Sequence, residues 1–245
     1  MSNYFANFPK VLYKFGSNER PVLFQKLSRY VDVVDTLKDR VSAYIEYEIR
    51  DYERPDTLAY RLYGKSEYDW TFFMMNDRLR ECGWPMPTQD IYDFVVNEVH
   101  TGYVARLDAS TLGDVAQYAS TIVVGAPVIF TGGATATIKR VDFENAQVYL
   151  DADTDITTNT ALNMLVDNTL NTIVTGVVEE YNADHHYENT DGEWLDYFST
   201  DPTKFPVTNL EHIVNENDKT KRIKIIKKDS IESVVSEFKR LVASN

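Results

Sequence analysis

The clearest hydrophobic pattern of the chain lies in residues 54–77, where it predicts two short helices separated by a glycine. The apolar residues of the first helix fall at helical spacing; they are Leu58, Leu62 and Tyr63. Asp56 is expected to cap the start of this helix, and Gly64 stands where a helix of this length should end.

The second helix of this stretch is expected to open at Ser66. Its residues at helical spacing are Trp70, Phe73, Met74 and Asp77. Two helices this short cannot bury their apolar faces on their own. We therefore expect them to pack on a small sheet.

Two distant segments can supply that sheet. Residues 42–52 alternate in polarity as a strand does, and residues 221–228 form a basic segment with three isoleucines. Asp229 and Glu232 then make a capping-box pattern at the start of a helix. The apolar stripe of that helix comprises Ile231, Val234, Val235, Phe238, Leu241 and Val242. We expect the two segments to pair, which makes the region between them an insertion.

The N-terminal segment, residues 1–20, is aromatic and too short to fold alone. Its aromatic residues include Tyr4, Phe5, Phe8 and Tyr13. Such an arm either packs on its own domain or docks on a neighbouring protein, and the sequence leaves both open. Residues 22–40 have apolar spacing that predicts helical structure, and Thr88 is expected to cap a further helix that runs to Val99.

The middle of the chain, residues 101–180, predicts β structure. Short apolar segments such as residues 121–130 alternate with glycine turns, which is typical of a small barrel or sandwich. The charge also changes here, because residues 101–200 contain 15 acidic and three basic residues, a net −12 of the −13 of the whole chain. A surface of that sign repels nucleic acid. We therefore predict four regions: 1–20, 21–100, 101–180 and 181–245.

The composition argues against several other classes of protein. The single cysteine, Cys82, allows no intrachain disulfide, and no segment reaches the ~20 apolar residues of a membrane helix. The N terminus lacks the features of a secretory signal. We expect a soluble protein made in the cytoplasm, with no membrane partner.

Two groups of residues have the chemistry of metal ligands, and neither predicts a site. Asp151, Asp153 and Asp155 have the spacing of a calcium loop, but the glycine and the glutamate that such a loop needs are missing. His185 and His186 are adjacent, so on a strand they should point to opposite faces. We expect them in a solvated loop, and we expect no metal and no cofactor.

Catalytic motifs are also absent from the sequence. It contains no glycine-rich phosphate loop, no HExxH and no GxSxG. Glu193 and Asp196 flank Trp194 and resemble a carboxylate pair beside a sugar-stacking ring, but such spacing is common on acidic surfaces. We predict that the chain is not an enzyme.

The run DTLAYRLYGKSEYDWTFFMMND resembles the helix pair of a LysM module, with an unusually aromatic second helix. Together with Arg54 and Pro55 before it and KRIKIIKKDSIESVVSEFKRLV at the end, it is similar to the baseplate wedge proteins of contractile-tailed bacteriophages, the family of the gene fifty-three product. The resemblance covers residues 1–100 and 180–245, and leaves 101–180 as an added domain. It implies an α+β fold: a LysM-like helix pair packed on a small antiparallel sheet, with an inserted, barrel-like all-β domain.

The resemblance also implies a structural role in the baseplate of the virion tail. Partners would be other wedge subunits and sheath-initiator-type tail proteins, with several copies around a six-fold tail. Residues expected at protein interfaces are Tyr4, Phe5, Phe8, Tyr13, Trp84, Lys221, Arg222 and Lys224. The basic residues among them also fit an ordinary edge strand protected against aggregation.

The alternative function is that of a LysM module that binds peptidoglycan, as part of a cell-wall lysin. Trp70 and Trp84 would then have to be exposed for stacking on glycan. The helical spacing of Trp70 places it in the core. Trp84, between Gly83 and Pro85, is expected to be the more exposed of the two.

Overall fold

The computed structural model describes residues 10–14, 20–25, 44–107, 122–130, 132–158, 163–166 and 170–243. Tyr4, Phe5 and Phe8 lie outside these residues. The described chain is a mixed α+β protein whose sheets are all antiparallel. None of its described helices is both long and apolar enough to cross a membrane.

The helices within the described residues are α1 (Pro55–Tyr63), α2 (Trp70–Met75), α3 (Asp77–Cys82), α4 (Thr88–Phe94), α5 (Asn209–Lys221) and α6 (Lys228–Ala243). The strands there are β1 (Lys10–Tyr13), β2 (Val22–Gln25), β3 (Tyr44–Glu48), β4 (Tyr103–Leu107), β5 (Pro127–Phe130), β6 (Thr135–Asp142), β7 (Gln147–Asp151), β8 (Asn163–Val166), β9 (Leu170–Glu179), β10 (Asp184–Glu188), β11 (Trp194–Leu195), β12 (Phe205–Thr208) and β13 (Arg222–Ile226).

The chain divides into two compact units. The first comprises Met1–Pro87 with Asn217–Asn245, and the second comprises Thr88–Glu216. The second unit is thus inserted between two parts of the first. It contains the predicted β region and extends beyond residues 101 and 180, since α4 and the strands β10–β12 also belong to it.

In the first unit, β3 and β13 form the predicted two-stranded antiparallel sheet, in which Ile225 pairs with Ile45 and Ile223 with Tyr47. The helices α1, α2 and α6 pack on it and share one hydrophobic core. The predicted stripe of α6 is confirmed, because five of its six residues are buried and Leu241 is half-buried against the same core. Apolar periodicity predicted the buried faces of α6 and β13, whereas Tyr44 and Ile45 of β3 remain exposed.

The ends of α1 confirm one expectation and correct another. Gly64 ends the helix in the left-handed conformation at φ 75°, and its N–H donates to the Tyr60 carbonyl at 2.8 Å. Asp56 is not the cap, because the helix already begins at Pro55 and Arg54 occupies the cap position. Proline fits the first helical position since its missing N–H would have no intrahelical partner there.

The second predicted helix is divided into three pieces. Residues 66–68 form a 3₁₀ turn, α2 follows, and Asn76 interrupts the helix with an extended backbone at φ −129° and ψ 105°. Asp77 therefore does not extend the face of Trp70; it begins α3. Such a break cannot be predicted from apolar periodicity, because it depends on a contact between Asn76 and a distant strand.

The N-terminal part of the unit differs from prediction. Residues 22–25, expected to be helical, form β2 and pair with β1, so that Leu12 lies opposite Leu23. The rest of the predicted helix lies outside the described residues. Three apolar residues in a row, Val22 to Phe24, are too few for periodicity to distinguish a strand from a helix.

In the second unit, six strands pair in the order β4-β7-β6-β5-β8-β9, and β9 pairs with β4, so the sheet closes on itself. The predicted β structure of this region is confirmed. Its core includes Leu107, Phe130, Ile138, Leu150 and Ile156. Before the barrel, α4 confirms the predicted helix, although residues 95–99 widen into a π turn. After it, β10 pairs with β11 and β12, and α5 follows.

Candidate protein-binding surface

The antiparallel pair of β1 and β2, which we call the N-terminal ribbon, carries a cluster of exposed apolar side chains among the described residues of the first unit. Its large hydrophobic residues are all exposed: Val11, Leu12, Tyr13, Val22, Leu23 and Phe24. Leu12 is 64% exposed and its cross-strand neighbour Leu23 is 54% exposed. Of the predicted interface residues, Tyr13 lies here. The aliphatic residues were not among the predicted interface residues, although two short apolar runs, residues 11–13 and 22–24, are a signal of paired strands.

The three predicted basic interface residues lie beside acidic groups of the same unit. Lys221 Nζ forms ion pairs with Asp51 Oδ1 at 3.2 Å and with Asp218 Oδ1 at 3.0 Å. Arg222 and Lys224 are exposed and stand directly opposite Glu48 and Glu46 in the register of β13 with β3. The basic strand is therefore matched in charge by its acidic neighbour.

This charged face borders an open cavity of about 610 Å³, lined by Glu46, Tyr47, Glu48, Asn76, Arg222, Ile223 and Lys224. Asn76 is one of the lining residues. Its side-chain amide donates to the Lys224 carbonyl at 2.8 Å and accepts from the Lys224 N–H at 2.7 Å. The same amide donates to the Phe72 carbonyl. The edge of β13 is thus occupied by a side chain, which makes addition of a partner strand at Lys224 unfavourable.

Trp84 is not the exposed residue that its neighbours Gly83 and Pro85 predicted. Its side chain is half-buried against the core, with its ring 6.0 Å from the rings of both Phe72 and Phe73. The indole N–H donates to the Glu53 carbonyl at 2.6 Å. Trp70 is also half-buried, with its ring 4.4 Å from that of Phe238. Both tryptophans therefore lie against other aromatic rings of the core.

Polar contacts connect the helix pair to the C-terminal segment. Lys65 Nζ donates to Glu232 Oε1 at 2.7 Å, and the Tyr68 hydroxyl donates to Glu232 Oε2 at 2.9 Å. The hydrogen bond with Lys65 lowers the pKa of Glu232. The buried Tyr63 hydroxyl donates to the Ile226 carbonyl at 2.9 Å, and burial raises the pKa of Tyr63 to about 12.

Three of the carboxylates that resembled catalytic or calcium-binding groups accept hydrogen bonds within local turns: Asp155, Glu193 and Asp196. Glu193 Oε2 accepts from Asn189 Nδ2 at 3.1 Å, and Asp196 Oδ1 accepts from the Phe198 N–H at 2.8 Å. Asp155 Oδ1 accepts from the N–H and the hydroxyl of Thr157, and these hydrogen bonds lower the pKa of Asp155. Such bonds are the usual role of short acidic side chains in turns.

The histidine pair is placed differently from expectation. His185 and His186 lie on strand β10, not in a solvated loop, and His186 is only 6% exposed. The pairing of β10 with β12 shifts register between Asp184 and His186, and this irregularity interrupts the alternation of side chains. The two Nδ1 atoms consequently lie 2.8 Å apart.

Comparison with known proteins identifies one part of the chain. Residues 5–101 match the family model described as "Base plate wedge protein 53". The matched range contains the N-terminal ribbon, β3 and the helices α1 to α4. No curated protein matches the chain.

Proposed function

Since residues 5–101 of this chain belong to the phage baseplate wedge protein 53 family, and the protein is thus a component of the virion tail baseplate, we propose that it joins neighbouring wedge subunits through protein–protein contacts. We further propose that sheath-initiator-type tail proteins are among its partners and that several copies surround a six-fold tail. The family is structural, so an enzyme is not expected.

The observation that carries the proposal is the N-terminal ribbon. Its six large apolar residues are exposed, and it lies within the residues that match the family. An isolated pair of strands is marginally stable in water, and it gains stability when a partner covers its apolar surface. A stable interface buries about 1,200–2,000 Å² in total, so the ribbon would be the apolar centre of a larger contact.

We also propose that β3, α1, α2 and β13 form a LysM-like module that serves protein contact. The strands β3 and β13 pair antiparallel, and the short helices α1 and α2 follow β3 in the sequence. The family match covers β3, α1 and α2. The cross-strand pairs of opposite charge, Arg222 with Glu48 and Lys224 with Glu46, favour a partner of mixed polarity over a strongly acidic one.

The glycan-binding alternative has less support. It requires Trp70 and Trp84 to be exposed, whereas both are half-buried and in contact with other rings. Retention of the parent protein on peptidoglycan, lost in the variant Trp84→Ala, would favour it over the wedge role.

Co-expression with candidate wedge subunits tests the proposal. We expect the chain to co-elute with at least one of them in size-exclusion chromatography. The double variant Leu12→Thr/Leu23→Thr should bind that subunit about 10- to 100-fold more weakly, since we expect the two changes together to remove roughly half of the stabilisation that two fully buried leucines contribute. Threonine suits a strand, so the change removes apolar surface without favouring another backbone.

The matched control is Val123→Thr/Val124→Thr. These two valines are also exposed, but they lie in the second unit and outside the family match. Affinity should be unchanged in this control. A chain that co-elutes with no tail protein, or a ribbon variant that binds as tightly as the parent, would contradict the proposal.

A further inference from the structure

Three imidazole rings meet in the second unit. His185 and His186 lie on β10, and His212 lies in the first turn of α5. One ring nitrogen of each histidine can be chosen so that all lie within 4.8 Å of one another. Among the described residues this is the one group of three or more potential metal ligands that close together. His212 could not be grouped with this pair from the sequence, because it is 26 positions from His186. The strand and the helix that carry the histidines come together only in the folded protein.

The hydrogen bonds of His186 leave one of its nitrogens without a proton. His186 Nε2 lies 2.8 Å from Glu188 Oε1, and an ionised carboxylate can only accept, so Nε2 carries the proton. In the neutral ring Nδ1 is then an acceptor. It faces His185 Nδ1 at 2.8 Å, which must donate in the metal-free protein. For a metal ion to take the place of that proton, His185 would carry its proton on Nε2 instead, and both Nδ1 lone pairs would then be available to the ion.

We propose that His185, His186 and His212 bind one divalent transition-metal ion of the zinc class. A ligand set of imidazoles alone selects zinc, copper or nickel over calcium or magnesium. Glu188 orients His186 from behind, as carboxylates do at many zinc sites. Zinc bonds to nitrogen are about 2.0–2.1 Å long, so tetrahedral ligands lie about 3.3 Å apart. The Nδ1 atoms of His185 and His186 need to separate by only a few tenths of an ångström.

The ring of His212 has to turn more. It is stacked on His185 with ring centres 3.8 Å apart and planes 8° from parallel. A metal lies close to the plane of each imidazole that binds it, so parallel rings cannot share one ion. His212 is half-buried in the first turn of its helix, and a rotation of its side chain opens the stack.

The surroundings fit a site with one open position. His185 and His186 border an open cleft of about 550 Å³, whose other residues include Phe143, Trp194, Leu195, Tyr197 and Phe198. Water from the cleft can supply the fourth ligand, and Trp194 stacks on His186 at 3.9 Å and restrains its ring. The ion would cross-link β10 to α5 within the second unit and stabilise the folded state over the unfolded one.

Calorimetric titration with zinc chloride tests the proposal on the full chain, made without a polyhistidine tag and stripped with a chelator. We expect one ion per chain with a Kd of about 1 μM or tighter. Glu188→Gln keeps all three imidazoles and should weaken binding about 10- to 100-fold, and His212→Gln should weaken it by more than about 100-fold. Cobalt bound to the parent should give the strong visible absorption of a tetrahedral site.

The control is His100→Gln, which removes the fourth histidine of the chain. His100 Nδ1 is paired with Glu180 Oε1 at 3.1 Å, so we expect zinc affinity to be unchanged. The proposal is overturned if the parent binds no zinc, or if His212→Gln or Glu188→Gln binds as tightly as the parent. Thermal unfolding of the metal-free variants identifies any that fail to fold. If His212→Gln fails to fold, the zinc affinity of Glu188→Gln decides whether the proposal stands.

Discussion

The side-chain amide of Asn76 pairs with the backbone of Lys224 in both directions, accepting from its N–H at 2.7 Å and donating to its carbonyl at 2.8 Å. One side chain thus replaces a strand neighbour at the outer edge of β13. The amide also donates to the Phe72 carbonyl at the end of α2. The helix pair and the sheet are therefore tied together across 148 positions of sequence.

Asn76→Ala should lower the free energy of unfolding of the protein by about 1–3 kcal/mol, because three hydrogen bonds are lost and one backbone edge is left to water. Urea unfolding followed by circular dichroism measures the change. Asn97→Ala is the matched control: its amide makes one exposed bond, to the Asp93 carbonyl at 2.8 Å, and the cost should stay below about 0.5 kcal/mol. Equal losses in the two variants would show that the pairing with Lys224 contributes nothing.

The raised pKa of Tyr63 predicts that the protein loses stability at alkaline pH. Burial raises the pKa of Tyr63 to about 12, above its value in the unfolded chain. A raised pKa contributes stability that is complete below the unfolded pKa of about 10 and is lost as the pH rises through the folded value. The loss between pH 10 and 12 should reach about 3 kcal/mol in the parent.

The variant Tyr63→Phe isolates this effect. It should be less stable than the parent at neutral pH by about 1 kcal/mol, the usual value of one hydrogen bond, here the one to the Ile226 carbonyl. Because phenylalanine does not titrate, the variant should lose less stability in alkali, and the two curves should cross between pH 10 and 12, above which the variant is the more stable protein. Urea unfolding at a series of pH values gives both curves. Parallel curves would mean that Tyr63 does not titrate differently in the two states.

Gly102→Ala should be strongly destabilising. A Cβ at this position would lie 2.9 Å from the Leu150 carbonyl oxygen and 2.7 Å from Glu180 Oε2. A backbone oxygen in a closed sheet cannot move away easily, so we expect a cost of about 1–3 kcal/mol. Gly176→Ala is the control, since nothing lies within 4 Å of its added Cβ. Thermal unfolding should show a lower Tm for the first variant alone, and a Tm equal to that of the parent would refute the contact.

Trp84→Ala should destabilise the first unit without changing any interaction with glycan. The indole fills space between Phe72 and Phe73 and bonds the Glu53 carbonyl, so its removal should cost about 2–4 kcal/mol. Urea unfolding and a peptidoglycan pull-down are the two measurements. Trp194→Ala, which removes an indole that is 64% exposed, should be within about 1 kcal/mol of the parent. A Trp84→Ala variant of unchanged stability would contradict the packing described for this side chain.

Much of the first unit could be predicted from sequence. The glycine that ends α1, the stripe of α6 and the strand character of β3 and β13 all follow from local patterns in the sequence. The charge environment of the basic strand could not be predicted, because the sequence does not reveal which residues of another strand lie opposite it. In the sequence Arg222 and Lys224 belong to a basic segment, and only the pairing of β13 with β3 places Glu48 and Glu46 opposite them.

The sequence by itself determined which side of each helix or strand is apolar and where α1 ends, since those properties depend on neighbours within about four positions. It also carried the family likeness of residues 5–101. Only the tertiary structure decided that Trp84 turns inward, that Asn76 leaves its helix to meet Lys224, and that an irregular strand brings His185 and His186 to His212. These contacts join segments far apart along the chain, and the free energy that selects them arises only when the segments meet.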